Sequence, residues 1–387
     1  MRRILTPERP DWRDTAARLG FRFHTIDGEP YWDESACYAF TLQQVEQDLE
    51  DPTFELHQMA MGLVEEIVNS EELMDRLAVP EDYRDWIAES WRRGEPHLYG
   101  RMDLAYDGSG PAKLFELNYD TPTSLYEAAF FQWVWLEEQK QRGVIAQNAD
   151  QYNLIQDLLV ETFATIAPDL PKPLYFSAVR ESQEDQGTIA YLRDCAEQAG
   201  IDTRTIAIED IGLSTDSRFT DLDDYVIPAL FKLYPLEFLF ADRFGPALPR
   251  SGVRLIEPPW KTLLSNKGIL PLLWQKHPGH PNLLEAHFET EASGALGPGW
   301  VRKPLYSREG ANVTLILPDG SQHVAAGPYD DSAWVRQAAH PLPQFDGNYA
   351  VIGSWVVADR AAGMGIREDT TLITRDTSRF VPHIILD

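Results

Sequence analysis

The sequence predicts a mixed fold of the α+β class, and three patterns along the chain indicate it. Apolar residues recur at helical spacing from residue 41 to residue 77. Strand-like and helix-like segments alternate between residues 174 and 230, which is typical of βαβ units around a small open parallel sheet. From Trp300 onward, short strand-like runs are separated by Gly, Pro and Asp, which is typical of antiparallel pairing.

In chain order, helix-like segments precede and then alternate with short extended runs. The expected helices are 41–77 (interrupted at Asp51-Pro52), 82–91, 123–141, 152–167, 187–199 and 263–275 (broken at Pro271). The expected strands, each bounded by turn residues, are 98–106, 112–118, 174–179, 203–208, 225–230, 301–304, 313–317, 323–325, 334–337 and 349–358.

Length and composition bound the class of protein. The chain has 387 residues, of which 43% are hydrophobic and 25% charged, enough for one large core or for two to three packed lobes. No run approaches the roughly 18 apolar residues that cross a membrane, and no apolar segment follows the charged N-terminus, so neither a membrane span nor a secretory signal is expected. Cys37 and Cys195 lack metal-binding or disulfide spacing, which predicts reduced thiols in a cytoplasmic protein.

The formal net charge of -27 bears on the partners of the protein. A field of this sign repels phosphates, so nucleic-acid binding is not expected. The same field would attract a cationic substrate such as a polyamine. A charge that only serves solubility explains the number equally well.

The most informative segment is a predicted hairpin around the turn residues 107–110. Side chains alternate faces along a strand, so Arg101 and Asp103 share one face of the first strand. Glu116 and Asn118 likewise share one face of the second strand. A two- or four-residue turn brings Asp103 and Glu116 to the same side of the sheet. The hairpin therefore predicts one polar cluster opposite an apolar face.

The polar face of this hairpin carries oxygen donors of the kind that bind a hard cation. Two carboxylates and an amide oxygen suit Mg²⁺ that is completed by water and substrate phosphates, so Asp103, Glu116 and Asn118 are candidate metal ligands. Arg101 beside them suits bidentate capture of a carboxylate or a phosphate. The alternative is a solvated hairpin face with an Arg–carboxylate pair.

A second informative segment, residues 300–313, carries cationic side chains near a Ser/Gly loop. A strand with Lys303 runs into a loop that contains Arg308, and the loop leads to another strand. Such a loop can fold over a triphosphate and offer backbone N–H groups together with Arg308. The segment lacks the Walker A pattern, and taken alone such lysines and arginines are mostly solvated. Lys267, before a helix-like run, and Arg367, in an expected turn after 362–366, are further cationic candidates.

Other combinations fit known sites poorly. The histidines at 277, 280 and 287 are separated by prolines and joined by no cysteine, so loop histidines are favoured over a metal cluster. Cys37 lacks any signature of a nucleophile, and no GxSxG sequence occurs. The aromatic run 130–135 is expected in the core.

Taken together, several motifs in order resemble the synthetase domain of glutathionylspermidine synthetase, and more closely its stand-alone, glutathionylspermidine synthase-like relatives described as acid–amine ligases. The resemblance spans almost the full chain. It is carried by Arg101-Met-Asp103, Phe115-Glu116-Leu117-Asn118-Tyr119-Asp120-Thr121-Pro122-Thr123, Glu257-Pro258-Pro259-Trp260 through Asn266-Lys267, Val301-Arg302-Lys303-Pro304 with Ser307-Arg308-Glu309-Gly310, and Gly353-Ser354-Trp355 through Gly365-Ile366-Arg367-Glu368-Asp369.

The resemblance implies an ATP-grasp fold with an additional small α/β domain, of the preATP-grasp type, for the acid substrate. The expected division is a helical region with the metal-binding hairpin in 1–150, the small α/β domain in 151–260 and the ATP-grasp lobes in 261–387. All three would form one synthetase unit. The chain has no room for the amidase domain of the bifunctional enzyme, so hydrolysis of the product is not expected.

The resemblance also implies roles for the candidate residues, each in the position that matches the family's motif. Asp103, Glu116 and Asn118 would bind Mg²⁺, and Lys267, Lys303 and Arg308 would contact ATP. Arg101, Arg308 and Arg367 would be the catalytic cations. Arg101, Thr121, Thr123 and Arg367 would bind substrate.

The implied activity is an ATP- and Mg²⁺-dependent ligase that joins a carboxylate to an amine through an acyl phosphate. The acid would be glutathione- or peptide-like and the amine a polyamine, although threonine replaces serine at both Thr121 and Thr123 and polyamine-binding acids are not placed within 181–185. Two other readings stay open: a paralogue that binds ATP or a metabolite without turnover, and a phosphotransferase that stops at a phosphorylated product.

Overall fold

The computed structural model describes residues 1–26, 28–291, 296–297, 299–308, 310–329, 333–375 and 377–386. Its architecture is organised around an antiparallel central sheet. The strands of this sheet, in spatial order, are Arg379–Val381, Arg360–Asp369, Asn348–Val357, Tyr99–Ala105 and Lys113–Asn118, with Gln344–Phe345 paired to Asn348–Val357. The hairpin of the sequence analysis therefore lies at one edge, beside strands from the end of the chain.

The two faces of the central sheet pack against different layers. On one face, Met102 and Leu104 join the core formed by helix Asp51–Ile67. On the other face, Tyr99 and Trp355 join the core formed by helix Ile155–Ile166. Burial on both faces fixes the register, because a one-residue slip would exchange the two sets of side chains.

Two further large sheets flank the central one. A five-stranded antiparallel sheet has the order Ala286–Phe288, Trp334–Ala338, Trp300–Pro304, Thr314–Ile316 and Gln322–Val324. A parallel sheet has the order Arg254–Ile256, Ala229–Leu233, Leu174–Ala178 and Thr203–Ala207. The alternating middle segment thus forms the predicted parallel sheet, and the segment after Trp300 forms the predicted antiparallel pairing.

The remaining strands are short. One small sheet joins the two ends of the described chain and contains Arg2–Leu5, Ala36–Phe40 and His383–Ile385. The other short pairs are Thr25–Ile26 with Glu29–Pro30 and Gly212–Leu213 with Phe219–Thr220.

The helices are mostly those expected from apolar spacing. The α-helices are Trp12–Arg18, Leu42–Val45, Asp51–Ile67, Glu71–Arg76, Glu81–Arg92, Gln132–Gln141, Ile155–Ile166, Gln183–Gln198, Leu236–Ala241, Thr262–Ser265 and Ile269–Lys276. Glu46–Glu50 and Glu127–Phe131 form π-helical turns. Ala167–Asp169, Ile208–Asp210, Gly245–Arg250 and Pro259–Lys261 form 3₁₀ turns. Over the described residues, the structure has no helix that is both long and apolar enough to span a membrane.

Some expected boundaries were wrong for identifiable reasons. The strand expected at 225–230 is Ala229–Leu233, which begins directly after Pro228, a residue that cannot donate to a ladder. The helix expected at 263–275 breaks at Asn266, not at Pro271, because Pro271 lies in a first turn where its missing N–H is not needed. Arg367 lies within strand Arg360–Asp369 and not in a turn.

Candidate active site

A cleft of about 1100 Å³ of empty space lies between the central sheet and the five-stranded sheet. Every predicted site residue except Lys267 lines it. The lining side chains belong to Arg101, Asp103, Phe115, Glu116, Asn118, Thr121, Pro122, Thr123, Val301, Lys303, Arg308, Val313, Leu315, Gln337, Ala338, His340, Pro341, Leu342, Val351, Arg367, Leu372, Ile373 and Thr374. Residues far apart in the sequence thus meet in one polar and partly apolar cavity.

The edge hairpin brings its four polar residues to one face as predicted, but the expected two- or four-residue turn was wrong, because Ala105 pairs with Lys113 and residues 106–112 form the connection. Asp103 is paired with Glu116 and Arg101 with Asn118. A bulge follows Asp103 before the ladder resumes. Arg101 and Asp103 are each only 5% exposed, so this polar face is a buried wall of the cleft and not a solvated surface.

Asp103 is held by two arginines from different strands. Arg101 donates through Nε to Oδ1 at 2.6 Å and through Nη2 to Oδ2 at 3.1 Å. Arg367 donates through Nη2 to Oδ2 at 3.0 Å. Gly353 faces Asp103 across the ladder and leaves room for Arg101, since a Cβ there would lie 2.7 Å from the Arg101 Cδ. One carboxylate therefore brings two guanidinium groups together at the cleft wall.

Glu116 is surrounded by positive charge. Its Oε2 lies 3.3 Å from the Lys267 Nζ, and the Asn118 amide donates to its Oε1 at 3.2 Å. Burial by itself would raise the pKa of Glu116, but Lys267 and Lys303 outweigh it and lower the pKa to about 2. Glu116 is therefore a carboxylate at any neutral pH.

Lys303 is a buried ammonium beside the same carboxylate. It donates to the Phe115 carbonyl and to the Gln337 Oε1, each at 2.9 Å. Burial lowers the pKa of Lys303 to about 8, although Glu116 favours the charged form. The charged form of Lys303 is thus stabilised by Glu116 and not by contact with solvent.

Lys267 contacts both the Ser/Gly loop and the hairpin. The residue lies in the connection after Asn266, where its backbone N–H donates to the Leu305 carbonyl at 2.9 Å. Its Nζ donates to the Ser307 carbonyl at 2.6 Å and also pairs with Glu116. Lys267 therefore joins the loop that precedes Arg308 to the predicted metal-binding carboxylate.

Arg308 extends from that loop towards the parallel sheet. Its Nη1 donates to the Thr121 hydroxyl, and its Nη2 pairs with the Glu237 Oε1 at 2.9 Å. Glu237 lies on helix Leu236–Ala241 and was not singled out in the sequence. An isolated glutamate in an apolar run carries no pattern that points to a pairing 71 positions away.

The loop with Thr121 and Thr123 is fixed from both sides. The Arg101 Nη1 donates to the Thr123 carbonyl at 2.6 Å. Asp120 forms a fully buried ion pair with Lys232, and its Oδ2 accepts the Leu236 N–H at 2.9 Å. Both threonines are thereby anchored to the central sheet and to the end of a parallel strand. The sequence analysis missed Asp120 and Lys232, because a buried pair of this separation leaves no local signal.

The acidic segment 181–185 lies close enough to the cleft to interact with it. Ser182 caps helix Gln183–Gln198 by accepting the Asp185 N–H at 3.2 Å. Burial raises the pKa of Asp185, and the positive charge of Arg308 opposes that shift. Arg308 is thus within electrostatic reach of three carboxylates, those of Glu237, Asp120 and Asp185.

Glu127 is a buried carboxyl that the sequence analysis also missed. It lies in the π-helical turn after the threonine loop and is 0% exposed, and neither of its oxygens has a well-formed hydrogen bond among the described residues, although the Tyr31 hydroxyl is close enough to favour the ionised form. Burial raises the pKa of Glu127 to about 7, against the opposing effects of the Tyr31 hydroxyl, Arg367 and Arg101. A π-helical turn next to a cleft is a frequent feature of functional sites.

The cleft offers a donor set that fits a magnesium ion. Asp103, Glu116 and Asn118 supply hard oxygens from paired positions on two strands. In the described part of the chain, no group of three His, Cys, Asp or Glu side chains could hold a metal ion. A cation here would need phosphate or water oxygens in addition, which is the usual condition of protein-bound Mg²⁺.

Comparison with known proteins places this geometry in a family. Residues 3–386 match the family described as glutathionylspermidine synthase preATP-grasp. The chain belongs to this family. It is 40% identical, over 97% of both chains, to a Haemophilus influenzae protein named as a proposed acid–amine ligase.

More distant relatives carry names that describe amide-forming ligases. Trypanothione synthetase of Crithidia fasciculata is 28% identical over 84% of this chain and 53% of its own length. The bifunctional glutathionylspermidine synthetase/amidase of Escherichia coli is 24% identical over 97% of this chain and 63% of its own length. The chain thus spans about half to two thirds of these two relatives. The family is one of carbon–nitrogen ligases.

A solved structure supports the fold alone. The structure of a glutathione synthetase-like effector from Globodera pallida, without ligand, superposes with a TM-score of 0.59 at 10% identity. The match covers 98% of each chain. This chain therefore shares its mixed α and β fold with that structure.

The burial of Glu127 predicts a pH-dependent stability. Because the folded-state pKa of about 7 lies above the ordinary 4.5, this carboxyl lowers the stability of the fold as the pH rises from about 4.5 to about 7, and the loss is complete above that range. Glu127→Gln should therefore gain stability relative to wild type between pH 5 and pH 8, by at most about 3 kcal/mol. Urea unfolding at both pH values measures the gain. Glu161→Gln, at an exposed ion pair, is the control, and parallel pH profiles for wild type and Glu127→Gln would contradict the assignment.

The buried Asp120–Lys232 pair predicts a large cost for removing one partner. Lys232→Met leaves the buried Asp120 carboxylate with the Leu236 N–H as its remaining hydrogen-bond donor among the described residues, and the free energy of unfolding should fall by about 3–5 kcal/mol. The double variant Asp120→Asn/Lys232→Met removes both charges and should recover part of that loss. Denaturant titration of both variants checks this, and equal losses would show that packing and not the unpaired charge is responsible.

Proposed function

We propose that this protein is an ATP- and Mg²⁺-dependent acid–amine ligase of the ATP-grasp type that works through an acyl phosphate. The observation that carries the proposal is the meeting of three groups in one cleft: the cations Lys303 and Arg308, the donors Asp103, Glu116 and Asn118, and the arginine pair Arg101 and Arg367. Lys267 lies behind the lining and pairs with Glu116. Phosphate, metal and carboxylate each have a chemically suitable partner there. The family, whose named members are ligases, supports the same reaction class.

The cleft has an apolar region suited to the base of ATP and a cationic region suited to its phosphates. Its apolar lining, which includes Val301, Val313, Leu315, Leu342 and Val351, suits the flat face of a base. The ammonium groups of Lys303 and Lys267 lie towards the hairpin and suit the phosphates. We therefore place the base between the two sheets and the phosphates above the strand that carries Glu116.

Asp103, Glu116 and Asn118 would hold Mg²⁺ together with phosphate oxygens of ATP. When bound, the ion would reduce the negative charge on the phosphates and thus the repulsion of an incoming carboxylate. Ionised Glu116, with its pKa near 2, is available as a ligand throughout the neutral range. Asp103 would share its oxygens between this role and its two arginines.

Arg101 and Arg367 would bind and orient the acid substrate. Both guanidinium groups converge on one point of the cleft wall through Asp103, and the Thr123 backbone is fixed to Arg101. A substrate carboxylate held there attacks the γ-phosphorus, the bond to ADP breaks, and an acyl phosphate forms. Arg308 offsets charge on the transferring phosphoryl group.

The second step needs only a neutral amine and a position for it. The amine nitrogen attacks the acyl carbon, the bond to the phosphate oxygen breaks, and phosphate leaves while the nitrogen gives up a proton. No side chain has to act as a nucleophile. Catalysis is then mostly positioning and electrostatic stabilisation by this chain's cations.

The acid is proposed to be glutathione- or peptide-like and the amine to be a polyamine. The acidic charge of the chain and the carboxylates of Asp185 and Glu237 near the cleft favour a cationic amine. Threonines at 121 and 123 would contact the acid. The three-part division into 1–150, 151–260 and 261–387 and a cytoplasmic location remain proposals of the same kind.

The experiment that tests the function is ADP release from Mg²⁺-ATP with a matrix of acids and amines. The acids are glutathione, short peptides and amino acids, and the amines include spermidine. ADP that appears only when one acid and one amine are both present establishes the ligase and names its substrates. ADP with the acid alone and a stable phosphorylated product would favour a phosphotransferase. Tight ATP binding without ADP from any pair would favour a non-catalytic paralogue.

Glu116→Gln should lower turnover by at least about 100-fold, because the metal and both lysines lose their shared negative partner. Glutamine keeps the size of the side chain, so the variant should remain folded in circular dichroism. ADP release under saturating substrates measures the effect, with Glu161→Gln as the charge-matched control. Turnover near the wild-type rate in Glu116→Gln would remove this residue from the metal site.

A further inference from the structure

The contact between Arg308 and Glu237 joins the loop of the five-stranded sheet to a helix next to the parallel sheet. Arg308 comes from the loop of the five-stranded sheet, and Glu237 comes from the helix that follows parallel strand Ala229–Leu233. Their side chains are 28% and 16% exposed, and the Arg308 Nη2 lies 2.9 Å from the Glu237 Oε1. An ion pair that is mostly removed from water holds a guanidinium more firmly than a surface pair does.

The helix with Glu237 is itself firmly placed. Asp120 accepts the N–H of Leu236, the residue next to Glu237, and Asp120 is locked by the buried Lys232. Thr121 follows Asp120 directly, and its hydroxyl accepts from the same guanidinium. The pair of acceptors that holds Arg308 is therefore built on one rigid unit, which also carries the proposed acid-binding loop.

Arg308 cannot donate the same N–H groups to the Glu237 carboxylate and to a phosphate at the same time. Its Nη1 and Nη2 are directed at Thr121 and Glu237, and its Nε is buried without a partner among the described residues. A bidentate phosphate contact needs two of these donors in one plane. A phosphate bound at the Nη1–Nη2 edge of Arg308, which now faces Thr121 and Glu237, would therefore displace the contact with Glu237.

We propose that Glu237 is a positioning residue that competes with the nucleotide phosphates for Arg308, so that Arg308 is held on the substrate loop until ATP releases it. The inference rests on the proposed function, because it assigns a phosphate to Arg308. The competition lowers the apparent affinity for ATP by the fraction of molecules in which Arg308 is free. It also leaves the Glu237 carboxylate without its partner once ATP is bound.

The competition predicts that replacing Glu237 raises the affinity for ATP, whereas damage to the fold would lower it. Glu237→Gln keeps the shape but removes the charge, so a non-hydrolysable ATP analogue with Mg²⁺ should bind about three- to tenfold more tightly, as expected for loss of a partly buried ion pair. Isothermal titration calorimetry without acid or amine measures this dissociation constant. A residue that only stabilised the cleft would weaken binding when replaced. Glu237→Ala is the second variant and should change the affinity in the same direction.

A double-mutant cycle separates competition from the general effect of one negative charge near a polyanion. In the Arg308→Ala background, Glu237→Gln should change the affinity less than about twofold, because the group that it competes for is absent. Glu161→Gln, which breaks another 2.9 Å ion pair outside the cleft, should leave the wild-type affinity unchanged.

Unchanged or weaker binding by Glu237→Gln overturns the competition while the proposed ligase stands. Equal tightening in the Arg308→Ala background also overturns it. Absence of binding to the wild-type protein overturns the proposed function and the competition together.

Discussion

The register of one hairpin determines the cleft. Because Asp103 faces Glu116, their carboxylates stand side by side on a buried surface, and each then requires cations from elsewhere in the chain. Unpaired buried charges would cost several kcal/mol each. Arg101 and Arg367 meet the need at Asp103, and the two lysines meet it at Glu116. The same requirement gathers the groups that phosphate and carboxylate substrates need.

These ion pairs hold the charged side chains of the cleft in place, but they also use the groups that ligands would bind. In this structure, the predicted metal ligands Glu116 and Asp103 are neutralised by predicted ATP-binding and substrate-binding cations. Ligands that replace these contacts exchange one set of ion pairs for another in a low-dielectric setting, so little net charge has to be desolvated. Glu127 is the exception, since it has no such partner and its raised pKa of about 7 leaves it only partly ionised at pH 7.

The sequence predicted those parts of the molecule that depend on local pattern. Alternation along two short strands was enough to place Arg101, Asp103, Glu116 and Asn118 on one face, and the register confirms it. Local pattern could not predict the small sheet that contains Arg2–Leu5, because a strand of four residues shows too little alternation.

The residues that sequence reasoning missed share a different property. Glu237, Lys232 and Glu127 act through partners or burial that only tertiary structure creates. Motif order, by contrast, identified Arg308 and Arg367 although it did not predict which element would carry Arg367. The roles of all these residues in metal and substrate binding remain predictions.

The central sheet pairs strands that are far apart in the sequence, and this has a consequence for synthesis of the protein. Strand Tyr99–Ala105 receives its neighbour, Asn348–Val357, from the far end of the chain, and Arg367 reaches Asp103 across 264 positions. During translation, the early hairpin is therefore made long before that partner emerges, and one of its edges stays unpaired while most of the polypeptide is still being added. Such an edge is a site for incorrect strand pairing, so the nascent chain has reason to depend on chaperones until its last strands are complete.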